Sequence, residues 1–153
     1  MHQIAPMSED QAAIKAAVEK TLDPFGDDYW AKTDETGDWP EECCDAMAAG
    51  GWLGIAFPEE YGGAGLGMTE MALFMEGTAN HGIPLLMMVV GPTMSLAHIA
   101  SHGSELHKKE LLPAACRGDI QFCFAITEPG GPEVLKPTRT SVPVPAADEV
   151  LIA

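Results

Sequence analysis

Apolar positions recur at helical spacing through the first 117 residues and then change to alternation, so the chain reads as helices followed by a short strand. Ser8-Glu9-Asp10-Gln11 opens the first helix as a capping box, in which the serine accepts from a first-turn amide and Gln11 reaches back to the backbone N–H of Ser8. Ile14, Val18 and Leu22, with Ala17 beside them, form one narrow apolar stripe that stops near Asp23-Pro24. Positions 25–38 are acidic, carry two glycines and show no period, which predicts a loop or lid. Trp39-Pro40 opens the second helix, since proline at the first helical position forfeits no hydrogen bond, and Glu41 and Glu42 sit near its positive end. Gly50-Gly51 closes it.

Positions 52–67 are glycine-rich, with Phe57-Pro58 and Tyr61-Gly62-Gly63 marking tight turns. Such a loop can cradle phosphate, but this one lacks the lysine and the strand-to-helix setting of a nucleotide loop, which favours a structural connection. Thr69 caps a third helix through about Asn80, with Met71, Phe74, Met75 and Thr78 on or near one face. His81-Gly82-Ile83-Pro84 leads into a fourth, apolar helix over 83–100. Ser104-Glu105 caps a fifth to about Cys116, with Lys108 and Lys109 outward and Leu111 and Leu112 inward. Arg117-Gly118-Asp119 then turns the chain into a strand in which Phe124 and Ile126 alternate with Ala125 and Thr127, and which Pro129-Gly130-Gly131 ends. The expected fold class is mainly α: a helical-bundle domain of about five helices with a short C-terminal β segment.

Composition narrows the partners. The 23 acidic residues against 8 basic ones give a formal charge of −15, and 16 of the acids lie in the first 76 positions. That field repels nucleic-acid phosphates and anionic headgroups, so neither nucleic acid nor a membrane surface is an expected partner. Cys43, Cys44, Cys116 and Cys123 show no paired metal spacing, and Cys43-Cys44 would bridge only with strain, so a reduced, cytoplasmic protein is expected. Met1-His2-Gln3-Ile4-Ala5-Pro6 lacks the basic and apolar regions of an export signal. The apolar run 83–100 raises a membrane question, but Pro84, Gly91, Pro92, Ser95 and His98 interrupt it, which favours the centre of a soluble bundle. His98 and His102, four apart, have ligand spacing; no carboxylate or cysteine completes a site, so no metal is expected. Met87, Met88 and Met94 give that helix a compliant surface, suited to a core or to an acyl chain of variable length.

The segment Phe124-Ala125-Ile126-Thr127-Glu128-Pro129-Gly130 resembles the flavin-contacting strand of the acyl-CoA dehydrogenase family. Gly51-Trp52-Leu53-Gly54-Ile55, Phe57-Pro58-Glu59-Glu60-Tyr61-Gly62-Gly63, His102-Gly103-Ser104-Glu105 and Leu112-Pro113 resemble that family's recurrent segments, in order, over 40–131. The resemblance implies that 1–120 is the N-terminal helical domain, and 121–131 the start of the flavin-contacting β segment, of an FAD-dependent enzyme that dehydrogenates acyl-CoA thioesters between their α and β carbons. It implies Phe124 beside the flavin, backbone hydrogen bonds from Ile126 to the ring edge and a contact from the Thr127 hydroxyl. It further implies an acyl pocket lined by Val90, Gly91 and Met94.

After Gly130 the pattern departs from the family. Members usually continue Ala-Gly-Ser-Asp, whose serine contacts the flavin pyrophosphate and the substrate; here Gly131-Pro132-Glu133 puts a carboxylate where a phosphate approaches and a proline with no N–H. The family's base is a glutamate of a later helical domain, and no motif assigns that role to a residue of this chain. The chain alone is therefore expected to be inactive and to lack the family's oligomer interface. Residues 125–136, with Val142-Pro143-Val144-Pro145 and 148–153, resemble the start of a quinone oxidoreductase of the medium-chain dehydrogenase superfamily. That likeness implies an extended tail over 132–153 and a junction of two coding sequences near 126–131. A helical binding module using its apolar face, and a fragment without independent function, stay open as alternatives.

Overall fold

The computed structural model describes residues 6–84 and 89–122. Six α-helices are found there: α1 (Glu9–Leu22), α2 (Asp27–Thr36), α3 (Glu41–Ala49), α4 (Met68–Asn80), α5 (Leu96–His102) and α6 (Glu105–Cys116). Two single 3-10 turns, Trp52–Gly54 and Glu59–Tyr61, join α3 to α4, and a π-helical stretch, Val89–Ser95, leads into α5. The chain is mainly α, as its periodicity predicts; the expected β segment lies outside the described residues.

The start of α1 forms as its residues dictate. Gln11 N donates to Ser8 Oγ at 3.1 Å, and Ser8 N donates to Gln11 Oε1 at 3.1 Å. Its stripe turns inward, with Val18 and Leu22 fully buried, Ile14 packed at the edge and Ala17 exposed. The partner is α4, and Gly77 sets how close the two come. A Cβ at Gly77 would stand 2.6 Å from Val18 Cγ1, so the absence of a side chain permits the approach. Polar ties flank the seam: Lys15 Nζ lies 2.8 Å from Glu76 Oε1, and Gln11 Nε2 donates to Glu70 Oε1 at 3.2 Å.

Three expectations are corrected by the structure. Positions 25–38 are not a loop, because α2 occupies most of them between Gly26 and a left-handed Gly37 at φ 69°. Its large apolar side chains, Tyr29 and Trp30, are adjacent and followed by Ala31 and then only polar residues, so no stripe betrays the helix. They are held by edge-on ring contacts, Phe25 to Tyr29 at 5.0 Å and Tyr29 to Trp30 at 5.1 Å between centroids. Secondly, α4 begins at Met68, so Thr69 lies inside it; Gly67 is the cap residue, its N–H donating to Glu70 Oε2 at 3.0 Å. Thirdly, the expected helix over 83–100 is not one regular helix. Pro92 lies within the π-helical stretch, where it supplies no N–H, and Ser95 Oγ donates to Val90 O at 2.8 Å before α5 begins. Among the described residues no helix is long and apolar enough to cross a membrane.

Two apolar clusters result. The first gathers Val18, Leu22, Phe25, Cys43, Met47, Ile55, Met71, Phe74 and Ile83 from α1, α3, α4 and their loops. Trp52 roofs it, stacked on Phe74 at 6.4 Å, with its Nε1 donating to Thr21 Oγ1 at 3.1 Å. The second gathers Phe57, Tyr61, Leu96, Leu112, Ala115 and Cys116, with Ile120 and Phe122 against it. Gly54 seats α6 there, since a Cβ would come within 2.7 Å of Cys116 Sγ. Tyr61 Oη donates to Glu105 Oε2 at 3.1 Å and fixes the start of the same helix.

Candidate functional site

A cavity of about 470 Å³ opens where the two clusters meet. Met47 and Leu53 belong to the side of the first cluster, Leu96 and Ala115 to the second, and the π-helical stretch and the segment after α6 close the remaining walls. The unusual winding of Val89–Ser95 brings Val90, Gly91 and Pro92 to the cavity together. Gly91 keeps space open: a Cβ there would meet only Phe122 O, at 3.7 Å.

Helical geometry explains the opposite wall. Glu41, Cys44 and Asp45 are spaced i, i+3 and i+4 on α3, so they share the face that borders the cavity, while Cys43 and Met47 point into the core. Glu41 and Asp45 are exposed, which places them at the rim beside Trp39, itself 49% exposed. The charged side chains among the described lining residues are these two carboxylates. Burial, reinforced by the charge of Asp45, holds the Cys44 thiol above its ordinary pKa, so it stays protonated and behaves as a small apolar surface. A second hollow, lined by Lys32, Asp38, Glu41 and Glu42 among others, shares Trp39 and Glu41 with the cavity.

Of the residues expected at a site, Val90 and Gly91 border the cavity, whereas Met94 is 37% exposed and is not among its described lining. Phe124, Ile126 and Thr127 lie outside the described residues, although Ile120, Gln121 and Phe122, directly upstream, form part of the wall. The contribution of α3 was not expected from the sequence. Its signal was present in the spacing of Glu41, Cys44 and Asp45, but an acidic face ordinarily means a solvated one. His81, at the end of α4, and His98, within α5, each bond a backbone carbonyl four residues back: Nδ1 of His81 bonds Gly77 O at 2.9 Å, and Nδ1 of His98 bonds Met94 O at 2.8 Å. Among the described residues no group of three or more side chains is placed to hold a metal ion.

Known proteins share this fold. Residues 8–119 match the acyl-CoA dehydrogenase N-terminal domain. An acyl-CoA dehydrogenase of Mycobacterium tuberculosis is 38% identical over 122 residues, covering 80% of this chain and 31% of that protein. The fold superposes on butyryl-CoA dehydrogenase from Megasphaera elsdenii with a TM-score of 0.72 at 21% identity, over 83% of this chain and 34% of that one. An acyl-CoA dehydrogenase complexed with FAD from Bacillus anthracis gives a TM-score of 0.73 at 24% identity, over 82% of this chain and 22% of the other. The chain thus spans about a third or less of the proteins it matches, and within that span it belongs to the acyl-CoA dehydrogenase N-terminal domain family.

Proposed function

We propose that the cavity takes the acyl portion of an acyl-CoA thioester, and that this chain is the helical N-terminal wall of an FAD-dependent acyl-CoA dehydrogenase. One observation carries this reading: the cavity's largely apolar wall ends on Ile120 and Phe122, immediately before the Phe124-to-Thr127 segment that resembles the flavin strand. An uncharged, apolar guest suits Met47, Leu53, Val90, Pro92 and Leu96. The flavin pyrophosphate and the coenzyme A phosphates do not suit the described lining. Glu41 and Asp45 would repel them, and no basic side chain stands among the described lining residues. FAD, when bound by the family, accepts the hydride; no step through it is assigned to residues of this chain. In this reading the chain comprises a helical domain over 1–120, the start of a flavin-contacting segment over 121–131, and a tail over 132–153 of separate coding origin.

The test titrates the full chain with FAD, with coenzyme A and with acyl-CoA thioesters of increasing length, following flavin fluorescence and the melting temperature. Saturable binding of the thioesters that strengthens with acyl length, with no effect of coenzyme A alone, is the expected pattern. Flavin binding is expected to be undetectable at high micromolar FAD. Equal responses to coenzyme A and its thioesters, or none to either beside a cooperative melt, would remove the acyl reading.

A further inference from the structure

We infer that Trp39 sets the length of the apolar chain that the cavity accepts, its indole standing as the partition between the cavity and the second, more polar hollow. This length limit rests on the acyl function proposed above, to which it gives a chain-length preference. Tyr29, Lys32, Thr33 and Thr36 are spaced i, i+3, i+4 and i+7 on α2, so they share one face, and that face lines the second hollow. On α3, Glu41, Cys44 and Asp45 share the face that borders the cavity. Trp39 lies on the short connection between these two helices and lines both spaces. Its surroundings are tied on either side: Asp38 N donates to Thr36 Oγ1 at 3.3 Å, and Trp39 O accepts from Glu41 N at 2.8 Å. The buried Pro40 that follows biases Trp39 toward extended backbone. The Trp39 side chain also hydrogen-bonds the Cys44 thiol, a residue of the cavity wall.

The two spaces differ in what they suit. Met47, Leu53, Val90 and Leu96 line the cavity and favour methylenes. The second hollow presents Lys32, Asp38, Glu41 and Glu42, charges of both signs, and a methylene that reached them would displace the water that solvates those groups. An acyl series therefore has a longest favourable member, the one whose end meets the indole. Glu41 borders both spaces too, but its exposed carboxylate sits on a flexible stem and moves aside at small cost. An indole is large and rigid, with two torsions only, and so makes the firmer boundary.

The experiment titrates the full chain calorimetrically with two series, acyl-CoA thioesters from butyryl to hexadecanoyl and n-alkanols from butanol to hexadecanol. In the parent, affinity is expected to climb to a maximum and to fall for longer chains. In Trp39→Ala the maximum moves to a longer chain, each methylene beyond the parent's maximum gaining up to about fourfold in affinity. Trp39→Phe retains a ring at the boundary and is expected to keep the parent's maximum, as is Glu41→Ala. Both positions are exposed, so all three variants are expected to melt cooperatively near the parent's temperature. An unmoved maximum in Trp39→Ala, or an equal move in Glu41→Ala, overturns the assignment of Trp39. Thioester affinity that rises through the whole parent series without a maximum overturns it as well, and keeps the acyl reading. A moved maximum among the alkanols with no thioester binding would keep Trp39 as the boundary and remove the acyl reading instead. A folded parent that binds neither series removes both.

Discussion

The two apolar clusters are built from helices of the same kind, yet the first meets the cavity only through Met47 and Leu53 at its edge, whereas the irregular winding beside the second forms the cavity's wall. In the first, the stripes of α1 and α4 meet along a glycine seam, and Trp52 and Phe74 complete a core in which Val18, Leu22, Cys43, Met47 and Phe74 are fully buried. Beside the second, a proline-containing π-helical stretch lines the cavity together with α3, and Gly91, which has no side chain, and the small Cys44 stand on its two sides. Regular helices with complementary stripes fill space; a helix whose register is broken leaves room. The fold thus places regular winding in the first cluster and irregular winding at the edge of the second, beside the cavity.

The sharpest way to break this comparison is to remove a large side chain from the first cluster. Phe74→Ala deletes a fully buried ring and is expected to cost about 3–5 kcal/mol in chemical denaturation. An effect below about 1 kcal/mol would mean that this cluster is not the stabilising core. Overfilling the seam comes next. Gly77→Ala drives a methyl toward Val18 and is expected to cost about 1–3 kcal/mol, partly recovered when Val18→Ala is added. At the cavity, by contrast, Gly91→Ala meets only ordinary van der Waals contact and is expected to shift stability by less than about 1 kcal/mol while weakening binding of the longest acyl chains first. A cost there as large as at Gly77 would erase the distinction between the two regions.

Cysteine chemistry sharpens it further. Burial pushes the Cys43 thiol up from 9.0 to about 12. Its folded-state pKa is raised, so the folded state disfavours the thiolate; the stability is whole below pH 9 and declines as pH rises toward about 12. Thermal melts across that window are expected to fall, and Cys43→Ala should flatten the slope. Alkylation in a Cys123→Ser background gives the smallest readout: the half-buried Cys44 at the cavity is expected to react before Cys43, which waits for unfolding.

Much of the first cluster was legible from residues alone. The Ser8 capping box, the Ile14-Val18-Leu22 stripe and the Met71-Phe74-Thr78 face each carry a local period that helical geometry converts directly into buried positions. Where the period failed, so did legibility: α2 has two adjacent aromatics and no stripe, and its place is decided by ring contacts with Phe25. At the cavity, Val90 and Gly91 had been singled out, with Met94, only as an acyl pocket that the family resemblance implies, and nothing in the local pattern of α3 singled out Glu41, Cys44 and Asp45.

By itself, then, the sequence determined a mainly helical chain, its acidic character and the ends of α1, α3 and α6, because these rest on spacing, capping and charge that act within a few residues, and its quoted segments pointed to the family. Tertiary structure alone decided that α3 and the stretch around Pro92 face one another across an open space. That outcome depends on where two clusters distant in sequence come to rest, and on a glycine and a proline that prevent the gap from being filled.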